Sequence, residues 1–215
     1  MKIRSLLFIF IFSFFSSVLH SQNVSHKCGS HDGYLEEQKQ LYPNFYKSLE
    51  NKNLQLKDQN EKLLSKINPN EKSTDKKIIP VVVHVIHNFG SENVTDAQVA
   101  DAIRILNDNI NGQDAAFTTR TPDVFASVVG KPNLEFRLAT IDPMGNPTSG
   151  INRIQSELTQ VPDPRDQVKA LSYWNSYQYF NIWVVKSLPT DNGGVLLGYA
   201  QFPYGGSMST DGVAL

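Results

Sequence analysis

Cysteine is almost missing: Cys28 stands alone in 215 residues. One thiol excludes an intrachain disulfide framework and any multi-cysteine zinc site. An excess of one charge is missing too. Twenty Lys and Arg face 21 Asp and Glu, a formal net charge of −1. Nothing in that balance draws the chain to nucleic acid or to an anionic membrane. Histidine stops early: His20, His26, His31, His84 and His87 are the five, and none follows His87. A histidine general base or zinc ligand is thereby excluded from the whole C-terminal stretch. No serine sits in a G-x-S-x-G turn and there is no phosphate loop. Gly193-Gly194 and Gly205-Gly206 have no lysine or helix start behind them and read as turns. No apolar run reaches the roughly 20 residues that a membrane span needs.

What is present is globular in composition. Hydrophobic residues make up 40%, aromatics 10% and charged residues 19%. Those shares exclude wholesale disorder and fibrous repeats, and the length suits one domain with an appendage. The average hides three unlike segments. In the first, residues 1–21, Lys2 and Arg4 precede the apolar run Leu6 to Phe15, and Ser16, Ser17 and Ser21 follow. Charged, apolar and small-residue regions in that order read as a secretory signal peptide. The expected location is secreted or extracellular, with periplasm and cell surface as variants of the same export. Cys28 does not directly follow the apolar run, so it is not placed as a lipid acceptor.

The second segment, residues 22–77, holds 10 Lys and Arg against 8 Asp and Glu, a net of +2. The third, residues 78–215, holds 8 against 13, a net of −5. The polar stretch Asn68 to Lys77 joins them as a solvated linker. Within the second segment, Leu41, Tyr42, Phe45, Tyr46 and Leu49, then Leu56, Leu63, Leu64 and Ile67, recur at helical spacing. Pro43 breaks or starts a turn there. So thin a stripe cannot bury a core alone. A basic secreted segment ahead of an acidic domain reads as a helical pro-segment. A mobile N-terminal extension explains the composition equally well.

The third segment carries the strand-like runs. Ile78 to His87 is β-branched and reads as a buried central strand, with Pro80 near its start. Thr95 is placed as a helix N-cap, with Gln98 three residues on and Asp96 in the first turn. Val99, Ala102, Ile103, Leu106 and Ile110 share one face of that helix, and Gly112 suits its end. Further strands are expected over Asn133 to Ile141, Ile151 to Ile154, Tyr179 to Val185, Leu196 to Pro203 and Asp211 to Leu215. Asp142 to Pro147 is a turn cluster, and Asp166 to Tyr173 reads as a weak helix. The fold class is α/β: a sheet backed by a helix.

Few residues in this set carry chemistry on their own. His84 and His87 lie three apart on a strand, so they point to opposite faces and cannot chelate one metal. Both read as structural. Glu157, Asp163 and Asp166 fall in a polar connection and read as solvated loop. Asp211-Gly212 reads as a turn into a strand. Asn23-Val24-Ser25 and Asn93-Val94-Thr95 are glycosylation-like triplets, but Thr95 is already explained as a cap. Cys28 is flanked by polar residues, so burial does not explain it. It reads either as a thiolate that ligates and blocks a metal or as an incidental free cysteine.

Ile79-Pro80-Val81-Val82-Val83-His84-Val85-Ile86-His87, Phe180-Asn181-Ile182-Trp183-Val184-Val185, Leu197-Gly198-Tyr199-Ala200-Gln201-Phe202-Pro203 and Asp211-Gly212-Val213 occur in that order. Together, over residues 78–215, they resemble the pappalysin-type, cytophagalysin-like branch of the metzincin zinc metalloproteases. The resemblance implies a zincin-like upper subdomain, a twisted, mostly parallel five-stranded sheet with one backing helix. It implies zinc as the family's cofactor, held by an H-E-x-x-H-x-x-G-x-x-H helix whose glutamate activates the bound water. That motif is not in this chain, so no catalytic or metal residue is assigned and the chain alone is expected to be inactive and to bind no zinc. The resemblance further implies that Gly198, Tyr199 and Ala200 lie on the sheet edge that takes an extended peptide or protein substrate by β-augmentation. It makes Cys28-Gly29 a candidate zinc-blocking switch. The expected organisation is residues 1–21 signal, 22–77 pro-segment and linker, and 78–215 truncated catalytic domain. Two other readings remain: a secreted, non-catalytic peptide-binding module, and a truncated relic.

Overall fold

The computed structural model describes residues 26–27, 40, 44–66, 75–130, 132–189, 195–201 and 207–215. Strand β2 (Lys77–His87) is the spine of the fold, fully buried from Val81 to His87. Its β-branched residues suit a strand covered on both faces. Eleven residues are enough for two short strands to lie end to end along one side. β3 (Leu134–Leu138) pairs with Lys77 to Val81, and β4 (Ile151–Gln155) pairs with Val83 to His87. The other side of β2 takes β5 (Phe180–Val184), followed by β8 (Val213–Ala214) and β7 (Tyr199–Ala200). Every pairing is parallel except β7 with β8. The architecture is the expected mixed α/β one with a mostly parallel sheet. It has six strands where five were expected, because β3 and β4 share one row.

Period-two alternation gives the sheet two faces. Val81, Val83, Val85 and Ile182 pack beneath helix α2 (Asp96–Ile110) with Val99 and Ile103. His84, Ile86 and Trp183 face the other way, toward Val168, Leu196 and Tyr199. α2 starts where the sequence places it. Thr95 accepts from the backbone N–H of Gln98, and the Gln98 side chain accepts from the Thr95 N–H, a complete capping box. Gly112 ends the helix at φ +62°, where a side chain would be strained. Of the apolar stripe, Ala102 is exposed, because only Val99 and Ile103 reach full burial against the sheet.

Two asparagines on α2 extend the sheet's hydrogen bonding. Asn107 Nδ2 donates to Phe136 O at 2.8 Å while its Oδ1 accepts from Phe136 N at 2.7 Å. Asn111 Nδ2 donates to Leu134 O at 2.8 Å. Side chains thus satisfy the outer backbone groups of β3, which would otherwise offer an open edge. Arg153 on β4 reaches Asn93 and Asp96 at the start of α2.

Several expected elements are shorter than their sequence patterns. The stretch from Leu196 splits into β6 (Val195–Leu196) and β7, and the weak helix contracts to α4 (Gln167–Ala170). A four-residue helix α3 (Phe117–Arg120) and a 3-10 segment at Asp123–Val128 stand between α2 and β3. Helix α1 (Phe45–Leu64) begins two residues after Pro43, and its described side chains from Asn53 to Lys62 are exposed. Ahead of it, β1 (His26–Lys27) pairs in parallel with β6. No helix among the described residues is long and apolar enough to cross a membrane.

Candidate functional site

β7 closes one side of the six-stranded sheet. Tyr199 is opposite Ala214 and Ala200 opposite Val213. Among the described residues no strand pairs with its outer side. Gly198 is required just before it. A Cβ at that position would fall 2.9 Å from both Ala214 O and Leu215 Cδ2, so only glycine lets the backbone approach β8 this closely.

Tyr199 does not point outward. It is 2% exposed, and its hydroxyl lies 2.9 Å from Asp166 Oδ1 and 3.1 Å from Arg165 O. The same Asp166 oxygen is 3.0 Å from Lys169 Nζ, which also donates to Thr210 O at 2.7 Å. The Lys169 ammonium stands 4.6 Å from the Tyr199 ring centroid and 5.6 Å from that of Trp183. Burial lowers the Lys169 pKa, and the facing Asp166 opposes that shift. This charged knot ties α4 to β7 and to the turn before β8. The expectation that Asp166 belongs to a solvated loop is therefore corrected: its carboxylate is drawn in by Lys169 and Tyr199. The neighbouring acids Glu157 and Asp163 are exposed.

His84 is fully buried, stacked on Trp183 with ring centroids 5.2 Å apart. Asn181 Oδ1 accepts from Trp174 N, and Asn181 Nδ2 donates to Trp174 O. That pairing fixes the amide, so His84 Nε2 donates to Oδ1 at 3.0 Å. Nδ1 is then left to accept from Ser172 Oγ at 2.9 Å. Burial pushes the imidazole pKa down to about 4, with the Asn181 hydrogen bond working the other way. His87 ends β2 on the opposite face, against Phe89. The two histidines are thus apart, and His84 has no free nitrogen. Among the described residues no three His, Cys, Asp or Glu side chains converge. The described residues do not fit a zinc ion. Cys28 lies outside the described residues, although the strand just before it, His26–Lys27, runs beside Val195–Leu196.

The Lys169–Asp166–Tyr199 knot and the His84–Asn181–Ser172 chain were not legible in advance, because Tyr199 lies 33 positions from Asp166, and His84 lies 88 and 97 positions from Ser172 and Asn181. The one available signal was a lysine at position 169 in a stretch that buries its neighbours.

A helix-backed, mostly parallel α/β sheet of this topology is a protease-like fold. The chain is similar to solved structures of mirolysin. Mature mirolysin of Tannerella forsythia, in complex with a cleaved peptide, is 40% identical over 66% of this chain and 53% of its own, with a TM-score of 0.58. Mirolysin in complex with compound 9 gives the same values. A mutant of Tannerella forsythia promirolysin is 32% identical over 88% of this chain and 59% of its own, with a TM-score of 0.64. These neighbours support a metalloprotease relationship. The chain spans between half and three fifths of their length. No family model and no curated protein matches the sequence.

Proposed function

We propose that the chain is the leading part of a secreted zinc endopeptidase precursor of the pappalysin type: signal, pro-segment and upper catalytic subdomain. The observation that carries this reading is the 40% identity with mature mirolysin over 66% of the chain. That share is about 142 residues, close to the 138 of the acidic domain, residues 78–215. The likeness to promirolysin extends to 88% of the chain, which supports a pro-segment in residues 22–77. The parallel pairing of His26–Lys27 with Val195–Leu196 is the observation that favours a pro-segment held against the rest of the chain and a blocking role for Cys28.

Peptide-bond hydrolysis in this reading belongs to zinc held by an H-E-x-x-H helix that this sequence does not contain. This chain contributes the substrate edge. Because the Tyr199 side chain is engaged inside, Gly198, Tyr199 and Ala200 meet an extended peptide through their backbone, as β-augmentation requires. By itself the chain holds no zinc and cleaves nothing. The test is the nucleotide sequence past codon 215. An H-E-x-x-H there, in frame or shifted, supports the precursor reading; its absence favours a secreted peptide-binding module that uses the same edge.

A further inference from the structure

β8 fixes which backbone groups of β7 face outward. Leu215 N donates to Trp183 O at 2.9 Å, and Leu215 O accepts from Val185 N at 2.9 Å. Leu215 therefore turns its peptide groups to β5, and Ala214, one residue earlier, turns its own to β7. Ala214 is opposite Tyr199, so these two residues form the hydrogen-bonded pair. Ala200 and Val213 form the next, non-hydrogen-bonded pair, and the Ala200 N–H and C=O point away from the sheet. Ala200 thus offers the outward donor and acceptor of the edge, and Tyr199 is its inward neighbour.

β7 is only two residues long, and two residue pairs with β8 are a thin hold. Both neighbours of Ala200 are gripped in addition from one buried side chain. On one side, the Lys169 ammonium stands 4.6 Å from the Tyr199 ring centroid and shares Asp166 Oδ1 with the Tyr199 hydroxyl. On the other, Lys169 Nζ donates to Thr210 O at 2.7 Å, and Thr210 Oγ1 donates to Gln201 Oε1 at 2.6 Å. Gln201 Nε2 then donates to Ser207 O at 3.1 Å. Lys169 is itself fully buried, so it reaches a ligand at the edge only through Tyr199 and Gln201.

We infer that Lys169 is the positioning residue of the peptide edge: by gripping Tyr199 and, through Thr210, Gln201, it holds the Ala200 N–H and C=O in place for the backbone of an extended peptide. This rests on the reading of β7 as that edge. The ligand that fits is recognised by its own backbone N–H and C=O groups in extended form.

The test is fluorescence-anisotropy titration of the full chain with a labelled, capped Val-Ala-Val-Ala-Val peptide, below the melting temperature of every variant. The wild-type chain is expected to bind it saturably, and the same peptide with N-methylated amides is expected not to bind. Lys169→Met is expected to weaken binding by about tenfold. Thr210→Val, which removes the hydroxyl that reaches Gln201, is expected to weaken it by about threefold. Thr210→Val leaves the Lys169 charge paired, so it decides the matter if Lys169→Met fails to fold. Folded variants that bind as tightly as the wild-type chain overturn the inference and leave the edge reading in place, since a role confined to stability gives that result. No saturable binding by the wild-type chain, or equal binding of the N-methylated peptide, overturns the edge reading and the inference with it.

Discussion

His84 and Asn181, 97 positions apart, are locked 3.0 Å from each other in the sheet interior, and the bond fixes the imidazole in its neutral Nε2–H form. Protonating Nδ1 would reverse the Ser172 hydrogen bond, making the hydroxyl the acceptor, and would bury a charge.

That relationship gives the domain an acid-sensitive stability. The folded pKa of His84, about 4, lies below the ordinary value of 6.5. The unfolded chain therefore binds the proton first as pH falls. Stability is fully present above pH 6.5 and is lost progressively down to about pH 4, by about 3 kcal/mol from this residue. Urea midpoints at pH 7 and pH 5 check the expectation. His84→Gln should flatten the difference between them, and an unchanged pH dependence would count against the assigned tautomer and its cause.

Lys169 and Tyr199 share one oxygen of Asp166, so their contributions should be coupled. Lys169→Met leaves Asp166 without its cation and is expected to cost about 3 kcal/mol. Tyr199→Phe is expected to cost about 1 kcal/mol. The double variant should lose less than the sum of the two. Strict additivity in a urea-unfolding cycle would show that the knot is not one unit.

Gly198→Ala should displace β7, since the added Cβ meets the backbone oxygen of Ala214 at 2.9 Å. The expected outcome is a lower melting temperature and faster hydrogen exchange at Ala214, with α2 unchanged. Uniform destabilisation across the sheet would argue that β7 is not a locally held edge.

Much of the sheet was legible because the sequence periods are strong. The β-branched run of β2, the Thr95–Gln98 box and the stripe of Val99 and Ile103 are local patterns, and each took its expected form. Pairing is not local. That β3 and β4 would share one row depends on β2 running 11 residues, which a window around either short strand does not contain. The same reason hid the site's supports. Asp166 looks like a loop acid until Lys169 and Tyr199 are folded against it, and His84 looks idle until Asn181 and Ser172 arrive from 97 and 88 positions away. Gly198, Tyr199 and Ala200 reached attention through resemblance alone; the inward Tyr199 side chain is a result of packing.

On the proposed reading, this chain supplies a substrate edge and no metal chemistry. Incubating the purified chain with casein and zinc, with a chelator control, tests it most directly. No cleavage above background is expected in either arm. Cleavage that depends on zinc and stops with the chelator, and that stays with the chain through purification, would contradict it.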